Sequence, residues 1–500
     1  MLNVMKQLYT YLLLLATLGS TSCSESWLDL DPSTSVETPK AIQTLEDAQS
    51  ALNGIYRLAS AHSYYGDNYL YYGDCRAEDV QARESLGAGH RVSPYYEYNV
   101  TASDNFNITL VWNQAYKVIR QTNSLLYYIN QGNIQTDDSQ SLERIKSETL
   151  AMRGLALYDL TRLFGMPYTY DNGASLGVPI ETTLTDQSHQ PGRNTVAECY
   201  KQVIEDLSNS LNGLSKDKTD GYLNYWAVQG LLSRVYLNKG DYEAAYTAAT
   251  DVIENSKQLY QLYTYEEYPN VWGKDFQSES LFEFYFSLTE PSGGSGGEGA
   301  PMVYANETKA EWNNLILTKA YLDLLNEDPN DIRHCLTQAS VIANHEGLPE
   351  AARKEKVYLT KYPGKSGDPR DNNLCIVRLS EIYLNAAEAG WQLKGEKATK
   401  GREYLNEIVS RRTQPSQTVE EGEFTLERIL KERRKELVGE GLALYDYTRN
   451  KLTVNREGGW HLSTIKDGQA DHIAYNDLRL ALPIPQAEID ANPNMKQNPQ

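Results

Sequence analysis

The sequence predicts an all-α protein built from helical hairpins, broken by long irregular stretches and carrying few, short strands. Three observations predict it. Over residues 222–255, Leu232, Ser233, Tyr236, Gly240-Asp241-Tyr242, Ala245 and Ala249 follow the tetratricopeptide pattern. That pattern sets a small residue where two helices touch, an aromatic three residues on, a tight turn, then small residues on the second helix. Antiparallel helices approach this closely only over small side chains. Residues 377–412 read as a second hairpin, with Glu381, Tyr383, Ala386, Ala387 and Glu388 on its first helix and Gly395 at its turn. Elsewhere the apolar residues recur mostly at helical spacing, and residues 281–287 alternate as a strand does.

The elements follow in order. Lys6 precedes an apolar run over residues 8–18, then Gly19-Ser20-Thr21-Ser22, then Cys23. Charge, a short apolar run and small residues make a secretory signal over residues 1–22. The run is too short to span a bilayer, which takes about 20 residues. Ending on cysteine resembles a bacterial lipobox, which implies cleavage before Cys23 and acylation of its thiol and new amine. Residues 23–40 form a polar tether holding one apolar patch, Trp27-Leu28-Asp29-Leu30-Asp31-Pro32. The body then runs over residues 41–500.

Within the body, residues 44–58 predict a helix, with Ala48, Leu52, Ile55 and Tyr56 on one face. Residues 62–107 are irregular and rich in Tyr, Gly and Asp. Residues 111–129 predict a helix carrying Trp112, Ala115, Tyr116, Ile119, Asn123 and Leu126 on one face. Residues 142–164 predict another, stopped by Gly165 and Pro167, and residues 196–214 a further one. The Gly-rich stretch 291–301 reads as loop. Residues 312–325 and 426–447 read as helices, the latter ending at Arg449-Asn450, and the chain from Leu482 on is extended and turn-rich.

Composition narrows the function. A net charge of −20 and a pI near 4.9 argue against nucleic acid, whose binding needs basic patches. The stretch 431–435 interleaves its cations with Glu432 and Glu436 and reads as a solvated helix face. Cys75, Cys199, Cys335 and Cys375 show no zinc spacing, though one disulfide among them is open. Gly294, Gly296 and Gly299 match a dinucleotide fingerprint formally, but Ala300-Pro301 stands where its helix should open. Gly364-Lys365-Ser366 lacks the upstream glycine of a phosphate loop, since Leu359 stands there. The histidines are scattered, with no nucleophile or ligand set beside them. Nothing in the sequence supports catalysis, a metal or a cofactor.

Aromatic residues are the remaining signal. There are 37 Tyr against 7 Phe. Each tyrosine has an apolar face and a polar tip, suited to core filling or to ligand contact. Those in irregular segments form clusters: Tyr64, Tyr65, Tyr69, Tyr71 and Tyr72, then Tyr95, Tyr96 and Tyr98. Trp272, Tyr304 and Trp312 surround the Gly-rich loop. Apolar platforms with a few placed polar groups hold small ligands, and sugar rings stack on such faces. The alternative for each ring is packing beneath its own loop.

Taken together, the motifs resemble those of the SusD/RagB family of nutrient-binding outer-membrane lipoproteins. They are Cys23 with residues 27–32, Leu52-Asn53-Gly54-Ile55-Tyr56, Trp112 through Asn123, and Arg153 through Pro167. Further on come Val377 to Ala389, Glu432 to Leu437, Glu440-Gly441, Tyr445-Asp446 and Arg449. Pro483-Ile484-Pro485, Glu488-Ile489, and Asn492-Pro493-Asn494 with Gln497-Asn498-Pro499 complete the set. Leu442 replaces an Arg or His common in that family.

The resemblance implies an all-helical body of four tetratricopeptide pairs with a looped ligand-binding half. It also implies a lipid anchor at Cys23 on the outer membrane, facing the cell surface, and docking on a SusC-like TonB-dependent transporter. The protein would bind a glycan without cleaving it. Carried over by segment, the ligand contacts fall at Tyr65, Arg83, Tyr96, Tyr98, Trp272, Tyr304 and Trp312. Tyrosine and tryptophan would stack, and Arg83 would bond hydroxyls or an acidic sugar. A peptide-capturing member of the same family, a lipoprotein glycoside hydrolase and a pure scaffold are the competing readings.

Overall fold

The computed structural model describes residues 42–499 except 67–68, 70, 83–91, 105–107, 187, 292–298, 300–303, 305–314, 340–356, 458–460, 462–464 and 466–468. The signal segment, Cys23 and its tether, Arg83, Gly294, Gly296 and Trp312 lie outside the described residues.

Long helices carry the architecture. They are α1 (Leu45–Ala59), α2 (Ile108–Asn130), α3 (Ser139–Phe164), α4 (Val196–Ser210), α5 (Tyr225–Lys239), α6 (Tyr242–Asn255), α7 (Leu379–Leu393), α8 (Gly395–Arg412) and α9 (Leu426–Leu437). Each of α1 to α7 packs on the next, and α9 packs on α7. Local chemistry starts them. Thr44 and Asp47 form a capping box on α1, and Thr195 and Glu198 form one on α4. Asn224 and Asp241 cap α5 and α6.

Both hairpins fold as their residues require. Gly240, at φ 80°, ends α5 in the left-handed conformation and turns the chain into α6. Leu237, Ala245 and Ala389 pack together, joining α5, α6 and α7. The α7–α8 contact is tighter still. A Cβ added at Gly390 would lie 2.4 Å from the Lys397 carbonyl oxygen. Buried ion pairs cross the helices as well. Arg153 of α3 grips Asp206 of α4 at 2.6 and 2.8 Å, and Arg234 of α5 grips Glu381 of α7 at 2.6 and 2.7 Å.

Short strands fill the irregular half. Strands β1 (Val80–Ala82), β3 (Leu315–Leu317), β4 (Thr337–Ala339) and β5 (Val357–Leu359) form an antiparallel sheet in the order β1-β3-β5-β4. Strands β2 (Ser280–Phe284) and β6 (Leu374–Arg378) pair antiparallel, and β7 (Val454–Asn455) pairs with β8 (His472–Ile473). One hydrophobic cluster extends from Ile42 to Met495 across these elements.

Three expectations are corrected. Residues 315–317 form β3, so the helix predicted over 312–325 shrinks to Lys319–Leu325. The helix predicted over 426–447 is two, α9 and a short helix Ala443–Arg449. Gly439 and Gly441, at φ 83° and 73°, break it. The Gly441 backbone passes so close to Gly73 that a Cβ there would lie 2.0 Å from its oxygen.

The third correction concerns the stretch expected to be a solvated face. Glu432, Arg433, Lys435 and Glu436 are buried. Glu436 accepts from Arg412 at 2.9 Å, Arg378 at 2.8 Å and Arg333 at 3.2 Å. Those arginines continue to Glu279, Glu440 and Asp331. The surrounding cations hold the Glu436 carboxyl well below the usual carboxylate range despite its burial.

Candidate ligand-binding site

Most of the tyrosines expected to meet ligand are core residues. Tyr64 and Tyr65 both donate to Asp159 Oδ2 at 2.5 Å, and Tyr69 donates to Oδ1 at 2.5 Å. Their rings pack against one another, and Tyr65 meets Phe284 at 5.0 Å. Tyr96 is fully buried, with Arg456 over its ring and His461 stacked at 5.8 Å. Tyr98 donates to the Arg76 carbonyl at 2.7 Å, and Tyr304 donates to Asp74 at 2.9 Å. Tyr65, Tyr96, Tyr98 and Tyr304 are at most 7% exposed. A ring so covered offers no stacking face in this structure. The physical reason is that protein acceptors satisfy each hydroxyl, and a satisfied tyrosine buries well.

Trp272 is different. It is half-buried, packed on Tyr268 at 5.2 Å, and its indole N–H is buried with no hydrogen-bond partner among the described residues. It lines a cavity of about 40 Å3 with Lys361, Glu283 and Asn373. Asn373 donates to Glu283 at 2.9 Å, and burial raises the Glu283 carboxyl pKa.

Asn373 leads from that cavity to an aromatic shelf. Strand β2 and its continuation turn Phe282, Phe284 and Phe286 into the core. Tyr285 consequently faces out and is 51% exposed. Phe276 lies beside it at 6.3 Å with an interplanar angle of 15°. Phe276 sits at φ 48°, and its carbonyl accepts from Lys218 at 2.5 Å. Lys365 places its ammonium 4.1 Å from the Tyr285 ring centre. It is fixed there by Asp275 at 3.0 Å, the Phe286 carbonyl at 2.6 Å and Asn373 at 3.3 Å. Leu288, three residues on from Tyr285, is 53% exposed.

The loop under Lys365 also answers the phosphate-loop question. Asp371 accepts from the amides of Lys365 and Ser366 at 2.8 and 3.2 Å. A carboxylate of the chain already occupies the position an anion would take.

The shelf therefore combines the exposed Tyr285 ring and the half-buried Phe276 with a fixed ammonium, a carboxylate and an amide. That set can stack on the apolar face of a sugar ring and bond its hydroxyls. Of the expected residues that are described, only Trp272 lies beside it. Phe276, Tyr285 and Lys365 were missed, although alternation with Phe282, Phe284 and Phe286 marks Tyr285 as outward.

Comparison with known proteins agrees with the fold. The family model described as starch-binding and associating with the outer membrane, of the SusD-like group, matches residues 26–237. A crystal structure of a SusD superfamily protein from Bacteroides thetaiotaomicron is 67% identical, covering 91% of this chain and 100% of that one, with a TM-score of 0.88. A putative sugar binding protein from Bacteroides vulgatus is 39% identical over 92% of this chain and 99% of that one, with a TM-score of 0.82. A SusD-like protein of Formosa agariphila, P38, is 24% identical over 89% of this chain and 92% of its own length. The chain belongs to the SusD superfamily.

Proposed function

We propose that the chain is an outer-membrane lipoprotein, anchored through Cys23, that captures an oligo- or polysaccharide without cleaving it. It hands the glycan to a SusC-like TonB-dependent transporter. The observation that carries the reading is the exposed Tyr285 face beside Phe276, with Lys365 held over it. The relative described as sugar binding supports the ligand class. Among the described residues no helix is long and apolar enough to cross a membrane. Arg83, Trp272 and Trp312 are proposed as further contacts.

The test is affinity gel electrophoresis of the mature protein against plant, host and microbial polysaccharides. One glycan should retard it, without release of reducing ends. Tyr285→Ala should abolish the retardation, whereas Tyr96→Ala should leave it unchanged if the protein remains folded. Retardation indifferent to Tyr285→Ala would remove the shelf from the reading. Absence of retardation by every glycan would remove the ligand class.

A further inference from the structure

A cleft of about 530 Å3 runs along one side of α2. Its other walls are the loop at residues 179–191 and the C-terminal stretch at 488–495. Tyr116, Leu184 and Met495 give it an apolar lining, and Leu184 is 37% exposed. Lys117 and Arg120 stand on the α2 wall, and neither has an ion-pair partner among the described residues. The facing wall carries Glu181, Asp186 and Glu488, which disfavours an anion on that side. Two turns beyond Arg120, on the same side of α2, Tyr127 is 47% exposed. The stripe thus leads from the cleft toward the end of α2. There the Gln135 amide donates to the Gln43 carbonyl at 2.7 Å, so the first described residues sit at the end of the stripe.

The tether supplies a matching occupant. Residues 23–40 hold Glu25, Asp29, Asp31 and Glu37 against Lys40 alone, and residues 27–32 are their apolar patch. The family match opens at residue 26, so the patch lies inside the matched span. In an extended chain Asp29 and Asp31 point to one side about 6.6 Å apart, and Leu28 and Leu30 point to the other. Lys117 and Arg120, three residues apart on a helix, present their Cβ atoms about 5–6 Å apart. The ten residues from Pro32 to Ile42 can reach about 33 Å. The rise of α2 from Arg120 to Asn130 is only about 15 Å.

We propose that residues 27–32 occupy this cleft as an extended segment running in the same direction as α2. Asp29 pairs with Lys117, Asp31 pairs with Arg120, and Leu28 and Leu30 enter the apolar lining. The acylated Cys23, four residues ahead of Trp27, then leaves the body at the Ile108 end of α2. The docked tether fixes how the body stands on the membrane.

The experiment uses the full mature lipoprotein in detergent with the photo-crosslinking residue p-benzoylphenylalanine at position 184, an exposed site. Illumination and mass spectrometry should find crosslinks to residues 27–32. Lys117→Glu combined with Arg120→Glu should lower their yield at least tenfold, with circular dichroism reporting an intact fold. Crosslinks to an added glycan, to another protein or to nothing in residues 27–32 would assign the cleft elsewhere and overturn the proposal. So would an undiminished yield in the double variant.

Discussion

The α7–α8 hairpin and the junction of β2, β6, α8 and α9 lie side by side, yet different forces hold them. The hairpin is governed by size. Gly390 meets the Lys397 carbonyl so closely that no side chain fits, and a Cβ at Gly401 would lie 3.0 Å from the Ala387 carbonyl oxygen, close enough to push the helices apart slightly. The junction is governed by charge. Glu436 and Glu279 sit among Arg333, Arg378 and Arg412, all buried. A steric contact is local, whereas a buried charge depends on every partner at once. The first region should fail when a residue grows, the second when a charge disappears.

The sharpest break should come at the junction. Glu436→Ala leaves three arginines buried around a void and should cost about 3–5 kcal/mol. Urea unfolding would measure it, and a loss below about 1 kcal/mol would show that the arginines find other partners. Next comes the hairpin. Gly390→Ala forces α7 from α8 and should cost about 1–3 kcal/mol. A neutral result would mean that the helices separate freely.

A third prediction concerns pH at the point where the irregular half meets α9. Asp74 is buried, accepts from Tyr304 and the Gly441 amide, and burial pushes its carboxyl pKa up to about 7. The folded protein thus keeps a proton that the unfolded chain has lost. Stability contributed at this position should fall as pH rises from about 4 to about 7, by roughly 1–4 kcal/mol. Asp74→Asn should flatten that slope in thermal melts taken across the range. An unchanged slope would exclude Asp74 as its source. The smallest effect belongs to α1. Gly54 lies exposed within it with open space around its Cα, so Gly54→Ala should stabilise by about 0.5–1 kcal/mol in the same melts.

The same contrast explains what could be read in advance. The helices were legible because caps such as Thr44 with Asp47 and turns such as Gly240-Asp241 act within a few residues. The fate of Glu436 was not, since its partners Arg333 and Arg378 lie 103 and 58 residues away along the chain. The break after α9 was hidden for a similar reason, because Gly73 meets Gly441 only in the folded chain. The tyrosine clusters misled for another reason. Composition shows that Tyr65 has a hydroxyl but not that Asp159, 94 residues on, accepts from it. Tyr285 was legible in principle, since strand alternation alone turns it outward.

The three tyrosines gathered on Asp159 have a consequence in alkali. Burial, together with the Asp159 charge, lifts the hydroxyl pKa values of Tyr64 and Tyr65 well above the usual phenol range, and burial lifts that of Tyr69. The unfolded chain would release these protons near pH 10 while the folded one retains them. Stability from these groups is therefore complete below pH 10 and drains away above it. Phenolate absorbance in the near ultraviolet should accordingly show a delayed rise from these three buried rings. That rise would keep time with loss of helical dichroism, so the ultraviolet spectrum in alkali doubles as a clock for unfolding.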